Sequence, residues 1–272
     1  MLDIETEYFA LWRDFANSAS AQSDLVLRCD HDAIRRLDEK HLTRHHSWAE
    51  VLGDTLFGSE TDGRLHLGLV PQPFIGNPLQ ASVIILLLNP GVSPADFHAE
   101  FTHAEFKEVL FKNLRGELWT TDHPFFFLDP QWAWTGGYTW WFKRLRGLIH
   151  ALEDSCGGRP AAQKFVAQRI AAIELVPYHS QNRPRALGLL NSSELAKRLA
   201  RRLLEKGKKL VVARQHDAWQ LGKETTLQVH ACPSGRSFSL PLKSEKRDTM
   251  GQVGAGDFIL EALRAPQDVR GS

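Results

Sequence analysis

The feature that most constrains this chain is an uninterrupted apolar run that stops abruptly. Val83 to Leu88 are six apolar residues in a row, and the first three are β-branched. A run of this length and composition is typical of a strand covered on both faces, as in a parallel sheet. Asn89-Pro90-Gly91 follow at once, and these residue types dominate turns. The sequence therefore predicts a buried strand that opens directly into a distinctive loop.

Three later segments are further strand candidates: RIAAIELV (169–176), KKLVVAR (208–214) and TTLQVHA (225–231). Apolar residues at spacings of three and four predict helices over 5–15, 32–40, 48–56, 95–115, 139–152, 192–206 and 257–263. Gly207 fits the position just after a helix end. This alternation of strands and helices predicts an α/β fold, a three-layer αβα arrangement around a mostly parallel four-stranded central sheet.

The chain shows no repeat, low-complexity run or long linker, and 272 residues fit one large α/β domain. We therefore expect a single domain over residues 1–272 with its core at 80–240. The helical patterns of residues 1–60 predict an N-terminal helical extension. Gly, Pro and Asn at short intervals predict an irregular connection over 58–80.

The composition argues against several classes of function. The chain has 33 basic and 32 acidic residues and a net charge of +1, so no global field draws it to nucleic acid or to a membrane. No apolar run is long enough to span a bilayer, and the N-terminus lacks the pattern of a signal peptide. Three scattered cysteines and twelve histidines without an HExxH pattern predict a reduced, cytoplasmic protein with no metal and no cofactor.

Polar or conformationally special residues follow each predicted strand. The four strand exits are NPG (89–91), PYHS (177–180), RQHDAW (214–219) and CPSGRS (232–237). Any one of them taken alone is better explained by an ordinary turn. Because ligands bind outside the carboxyl ends of strands in open α/β sheets, four such loops at one edge predict a pocket at Asn89-Pro90-Gly91.

The order of these loops resembles that of the uracil-DNA glycosylase-like superfamily. Asn89-Pro90-Gly91 looks like the first motif of its mismatch-specific uracil-DNA and thymine-DNA glycosylase branch, and Pro233-Ser234-Gly235-Arg236-Ser237 looks like the second. Residues 174–180 lie where the superfamily places a third strand-end loop, and Arg183-Pro184 follow, as is common there. The resemblance covers residues 80–240 and implies one glycosylase-like domain.

For the first motif, the resemblance implies that Asn89 orients the water that attacks the anomeric carbon. A neutral amide can position water beside an oxocarbenium-like centre, although a carboxylate would stabilise the cation better. Pro90 and Gly91 would bring the backbone close to the ligand, since glycine has no Cβ. Asp96, shortly after the motif, is an alternative water activator.

The second motif carries one departure from the superfamily. The resemblance implies that Pro233-Ser234-Gly235 hold a DNA phosphate and that Arg236 enters the space left by a flipped base. Cys232 stands where the superfamily has a His or Asn that donates to the departing base, and a thiol is a poor donor. His230 shares a strand face with Cys232, so it is either a substitute donor or a satisfied core histidine.

The third loop and an aromatic segment supply the other candidate ligand contacts. His179 is a candidate general acid because histidine titrates near neutral pH. Phe125-Phe126-Phe127 form an aromatic segment where the superfamily supplies a platform for the base. Aromatic residues at helical or alternating spacing are more often part of a core. The candidate contacts to a base are Tyr178, Ser180, Asn182, Phe126 and Phe127.

Three functions are compatible with these residues. The first is a divergent glycosylase that hydrolyses the N-glycosidic bond of a damaged or mismatched base in DNA. The second is a non-catalytic module that binds nucleic acid, a nucleobase or a nucleotide in the same pocket. The third is a small-molecule hydrolase that uses Cys232 or His179, but no GxSxG motif supports it. The lysines and arginines of 197–209 are either a solvated helix face or a DNA-backbone surface.

Overall fold

A computed structural model of the protein describes residues 3–19, 24–59, 61–181, 187–214, 216–221, 226–232, 238–240, 242 and 254–265. The helices within these ranges are α1 (Ile4–Ser18), α2 (His31–Arg35), α3 (Trp48–Gly53), α4 (Pro94–Thr102), α5 (Ala104–Arg115), α6 (Gly136–Cys156), α7 (Arg159–Arg169), α8 (Asn191–Glu205), α9 (His216–Trp219) and α10 (Ala255–Arg264). The strands are β1 (Leu42–Thr43), β2 (Leu65–His66), β3 (Phe74–Ile75), β4 (Val83–Leu87), β5 (Ile170–Glu174), β6 (Lys209–Val212) and β7 (Val229–Ala231).

The main sheet is mixed and has the strand order β3-β5-β4-β6-β7. Strand β4 lies in the middle and pairs in parallel with β5 on one side and β6 on the other. All five of its residues are buried, which explains why its sequence is apolar throughout rather than alternating. Strands β1 and β2 form a separate two-stranded parallel sheet.

The α/β fold predicted from the sequence is confirmed, but the main sheet has five strands and not four. The fifth strand, β3, pairs antiparallel with β5 through Phe74 and Ile75 alone. It lies within the segment 58–80 that the turn-forming residues marked as irregular. A two-residue strand between Pro73 and Gly76 leaves too short a pattern to be detected in sequence.

The helices also differ from the expectation in three places. Helix α7 was missed because its buried face is small and partly polar, with Ala162, Gln163 and Ala167 among its buried residues. The pattern over 95–115 forms two helices, α4 and α5, which are separated at His103 by an extended backbone. The pattern over 32–40 gives only the five-residue α2, followed by a short 3-10 turn.

Helix α1 is integrated with the sheet. Its apolar face contributes Tyr8, Phe9 and Trp12 to the same hydrophobic cluster that contains β4. Its acidic residues face α8, where Glu5 pairs with Lys206 at 2.6 Å and Glu7 pairs with Arg198 at 3.1 Å. Helix α1 therefore covers α8 and part of the core at the same time.

Within the ranges that the structure describes, no helix combines the length and apolar character needed to cross a membrane.

Candidate functional site

A cavity of about 390 Å³ lies at the carboxyl ends of three adjacent strands. Its wall includes Leu87 to Asn89 at the end of β4, Glu174 at the end of β5, and Arg214 just after β6. The chain passes from β4 to β5 on one side of β4, while β6 lies on its other side. The cavity therefore lies where strand order reverses, which is the position at which open α/β sheets bind ligands.

The side-chain amide of Asn89 is held in one orientation. Its Nδ2 donates to the backbone carbonyl of Ser180 at 2.8 Å and to that of Pro90 at 2.9 Å, and it lies 3.1 Å from Ser180 Oγ. No described group donates to its Oδ1. Because the donor end is fully used, Asn89 presents an acceptor to the cavity.

The backbone on either side of this contact is joined as well. The amide of Ser180 donates to the carbonyl of Pro90 at 3.2 Å, so the loops after β4 and β5 are tied together twice. At Gly91 an added Cβ would meet no described heavy atom within 4 Å, so this position is open to the approach of a ligand. The structure thus brings Asn89, Pro90, Gly91 and Ser180 together in one wall of the cavity.

His179 also reaches the cavity, from between two backbone carbonyls. Its Nδ1 lies 2.9 Å from the carbonyl oxygen of Gly91 and its Nε2 lies 3.1 Å from that of Val70. Burial lowers the pKa of His179, against the opposing effects of Asp96 and of the two carbonyls. With both nitrogens directed at protein carbonyls, His179 holds the loops together rather than offering a free proton to a ligand.

Asp96 lies in the wall at the start of α4. Its Oδ2 accepts from the backbone amide and the hydroxyl of Ser93, both at 2.8 Å, and these contacts form a capping box. Burial raises the pKa of Asp96, while nearby His179 and the Ser93 contacts act in the opposite direction. The residue that sequence marked as an alternative water activator is therefore within the cavity wall.

Glu174 is the residue that sequence reasoning missed. It is 6% exposed, it lines the cavity, and its Oε2 is buried without a hydrogen-bond partner among the described residues. Burial raises its pKa well above the usual range for a carboxyl, and only Arg214 lowers it. Burial thus favours the protonated carboxyl of Glu174, which can donate one proton and accept a hydrogen bond.

Aromatic rings form another wall. Phe127, Trp140 and Trp141 line the cavity. A Cβ on Gly137 would lie 2.1 Å from Cε1 of Phe127, so glycine at the start of α6 is what lets this ring pack there. Phe126, the other predicted platform residue, is 2% exposed and packs on Phe127 with ring centroids 4.3 Å apart, outside the cavity wall.

Two arginines complete the cavity. The guanidinium of Arg144 stacks on the ring of Trp140, with its central carbon 3.4 Å from the ring centroid, and Nη1 donates to the Trp140 carbonyl at 2.8 Å. Arg214 is exposed and lies close enough to weaken the protonation of Arg144. Within the described residues, neither guanidinium has a carboxylate within ion-pair distance.

Tyr178 lies away from the cavity. It is 1% exposed, its hydroxyl donates to Asp30 Oδ2 at 2.8 Å, and the same oxygen accepts from the amide of Leu27 at 3.1 Å. It belongs to a second hydrophobic cluster with Leu65 and Val176. Its hydroxyl is committed to protein groups, so in this structure it does not face a base edge.

His230 and Cys232 are likewise absent from the cavity wall. His230 is 5% exposed and packs beside the ring of Phe258, and burial lowers its pKa. Cys232 is buried, and burial raises the pKa of its thiol to about 12. A thiol with this pKa supplies no thiolate at neutral pH, which removes support from a cysteine hydrolase.

The remaining sequence-predicted contacts lie outside the described residues. They are Asn182, Pro233, Ser234, Gly235 and Arg236.

The basic residues of α8 are occupied elsewhere. Arg198 and Lys206 pair with acids of α1, Lys197 pairs with Glu194, and Arg202 lies near Asp3. This arrangement fits a structural helix face rather than a DNA-backbone surface. Among the residues that the structure describes, no three His, Cys, Asp or Glu side chains converge as a metal site would require.

Comparison with known proteins adds no relative to this picture. No family model matches the chain, and neither the curated proteins nor the solved structures contain a match.

Proposed function

We propose that this protein hydrolyses the N-glycosidic bond between a damaged or mismatched base and the sugar of DNA, with the base held in the cavity. The observation that carries the proposal is the fixed amide of Asn89. Ser180 and Pro90 use its donor end, so Oδ1 is the end available to a water molecule. A positioned acceptor is what an attacking water needs, because it orients the oxygen lone pair toward the anomeric carbon.

The departing base requires a hydrogen-bond or proton donor. The residue at the superfamily's donor position, Cys232, lies outside the cavity wall, whereas the carboxyl of Glu174, whose pKa is raised by burial, lies within it. In the proposed reaction, the water oxygen bonds to the anomeric carbon and the bonding pair of the broken C–N bond leaves with the base. Glu174 protonates the base, and the proton released by the water returns to Glu174 through solvent.

The aromatic wall supports a flat ligand. Stacking of a base on an aromatic ring is worth about 1–3 kcal/mol, and Phe127, Trp140 and Trp141 offer ring surface at the cavity. The proposal carries with it the three-layer αβα arrangement of the superfamily that the loops resemble. It also places the protein in a reducing, cytoplasmic setting, which is supported by the free thiols of Cys29, Cys156 and Cys232.

The test is incubation with single- and double-stranded oligonucleotides that carry uracil, hypoxanthine or a G·T mismatch, followed by alkaline cleavage at abasic sites. We expect a slow but catalytic release of base from at least one substrate. Asn89→Ala should lower that rate by about a hundredfold or more, as removal of a positioning group does. Failure to form abasic sites from any substrate at high protein concentration would overturn the proposal.

A matched control is available on α8. Asn191→Ala makes the same chemical change at an exposed residue that contacts Cys29 on another face of the molecule. It should leave the rate unchanged. Equal losses of activity in Asn89→Ala and Asn191→Ala would show that the first loss reflects the fold and not the positioning of water.

One observation favours a second function, a non-catalytic module that binds nucleic acid or a nucleotide. The pKa values of Asp96 and Glu174 are both raised by burial, so neither presents a ready carboxylate to stabilise an oxocarbenium-like centre. This alternative predicts saturable binding of nucleotides or oligonucleotides, detectable through tryptophan fluorescence, with no release of base. Binding that never leads to cleavage would decide for it.

A further inference from the structure

Two guanidinium groups line the cavity, and neither forms an ion pair with a described carboxylate. Arg144 comes from α6 and Arg214 follows β6, and both line the same space as Glu174 and Trp140. Burial and the charge of Arg214 lower the pKa of Arg144 to about 10, which still leaves it charged at neutral pH. The two cations therefore repel each other, and an anion bound in the cavity that both of them line would reduce this repulsion.

The Arg144 side chain is also held in place for such a contact. Its guanidinium is stacked on Trp140 and anchored by Nη1 to a backbone carbonyl, while its Nε is buried without a described partner. Trp140 in turn packs nearly parallel to Phe238, at 24° and 6.2 Å between centroids. A guanidinium fixed in this way loses little conformational entropy when it binds an anion.

The acids of the cavity do not compete for this position. Burial raises the pKa of Glu174 and so favours its uncharged form, and Asp96 uses Oδ2 for Ser93. His179 is buried between two carbonyls. The cavity wall therefore presents two cationic groups to a ligand.

We propose that Arg144 and Arg214 form a phosphate subsite, which binds the phosphate of the nucleotide whose base occupies the cavity. The choice of a nucleotide rests on the proposed function; the anion subsite itself does not. The planar guanidinium matches the spacing of phosphate oxygens and donates two parallel hydrogen bonds to them. The phosphate belongs either to a free mononucleotide or to a nucleic-acid strand.

The test compares ligands with and without phosphate by isothermal titration calorimetry. The probes are deoxyuridine, deoxyuridine 5′-monophosphate, inorganic pyrophosphate, and a single-stranded pentamer with central deoxyuridine. We expect the monophosphate to bind about tenfold or more tightly than the nucleoside, and this advantage to shrink as ionic strength rises. Tighter binding of the pentamer than of the monophosphate identifies a strand as the source, and the reverse identifies a free nucleotide.

Variants assign the effect to the two arginines. Arg214→Gln, at an exposed position, and Arg144→Gln should each remove most of the phosphate-dependent gain, and Arg144→Lys should restore only part of it. Arg146→Gln is the matched control, since Arg146 is an exposed residue of α6 outside the cavity wall. If the monophosphate and the nucleoside bind equally, or if Arg214→Gln and Arg146→Gln behave alike, the subsite is overturned. Cleavage of oligonucleotides could still occur in that case, so this failure is distinguishable from that of the proposed function.

Discussion

The α8 side of the molecule and the cavity both contain many polar groups, but the partners of these groups differ between the two regions. Near α8, the buried carboxylate of Asp30 accepts from Ser192 N at 3.0 Å and from the hydroxyl of Tyr178 at 2.8 Å. The cations of α8 are matched by acids of α1, such as Arg198 by Glu7. At the cavity, Glu174 has a buried oxygen without a described partner, and the charge of Arg214 lowers the pKa of Arg144.

This difference distinguishes polar groups that stabilise the fold from polar groups that are available to a ligand. A buried polar group that is satisfied by the protein contributes to stability, whereas one left without a partner costs free energy that must be offset elsewhere. Two groups of the second kind, Oε2 of Glu174 and Nε of Arg144, belong to residues that line the cavity at the carboxyl ends of β4, β5 and β6. Sites that sacrifice stability in this way are candidates for function.

The largest effect that would test this contrast is expected from Glu174→Gln, which should change how the free energy of unfolding depends on pH. Because burial raises the pKa of Glu174, the folded protein keeps this proton where the unfolded chain has lost it, so stability falls as pH rises above the ordinary carboxyl pKa. The variant should match the wild type near pH 4 and exceed it at pH 9 by at least about 1.4 kcal/mol, the free energy that corresponds to one pKa unit. Urea unfolding at several pH values measures this.

Glu105→Gln serves as the control for that experiment, since Glu105 is an exposed residue of α5. Its stability should follow the wild type at every pH within about 0.5 kcal/mol. If the curves for Glu174→Gln and the wild type run parallel from pH 4 to pH 9, Glu174 is not a buried neutral acid.

An effect of comparable size, in this case a loss of stability, is expected from Tyr178→Phe near α8, where the buried polar groups named above are hydrogen-bonded. The change removes a donor to Asp30 and an acceptor for the amide of Leu27, both in a buried region. Unfolding free energy should fall by about 1–3 kcal/mol, measured by urea denaturation. Tyr138→Phe is the matched control, because that half-buried hydroxyl has only a 3.4 Å contact with Gln163. Equal effects of the two changes would contradict the assignment.

A smaller effect is expected from Lys206→Gln, which removes one cation from the seam between α1 and α8. The Lys206 side chain is 43% exposed, so solvent screens its pair with Glu5. Stability should decrease by less than about 1 kcal/mol at low salt, and by still less at high salt. A loss that does not change with salt would show that packing, and not charge, joins these helices.

The smallest effect on stability is expected from Arg214→Gln. Its guanidinium is exposed, has no described carboxylate partner, and repels Arg144. Thermal unfolding should therefore shift by about 1 °C or less, with any shift toward greater stability, whereas binding of phosphate-bearing ligands falls. A marked drop in the melting temperature would place Arg214 with the structural cations of α8.

Much of the sheet could be predicted from the sequence, because the spacing of apolar residues along a strand indicates which of its faces are buried. Val83 to Leu87 are all buried and form the central strand that the apolar run predicts. Helix α7 escaped because a buried face of Ala162, Gln163 and Ala167 carries little hydrophobic contrast. Strand β3 was not predicted because two residues are too few to show a repeating pattern of apolar side chains.

The site was less accessible to sequence reasoning, because its chemistry depends on groups that are distant along the chain. Glu174 ends an apolar segment and reads as an ordinary strand end, and only the sheet places it beside Arg214, 40 positions later. Tyr178 and Ser180 are close in sequence, yet one faces Asp30 and the other holds Asn89. Which of two neighbouring loop side chains faces a ligand is decided by the surrounding packing.

The contacts that hold the cavity loops have a consequence for the order of folding. Asn89 and Ser180 are 91 positions apart, and His179 joins backbone groups 88 and 109 positions away. Helices form from neighbouring residues, whereas contacts at such separations must first overcome the entropy of closing long loops. We therefore expect a refolding chain to recover its helical circular dichroism before it can bind a ligand. Ligand binding at the cavity would then be regained late in folding.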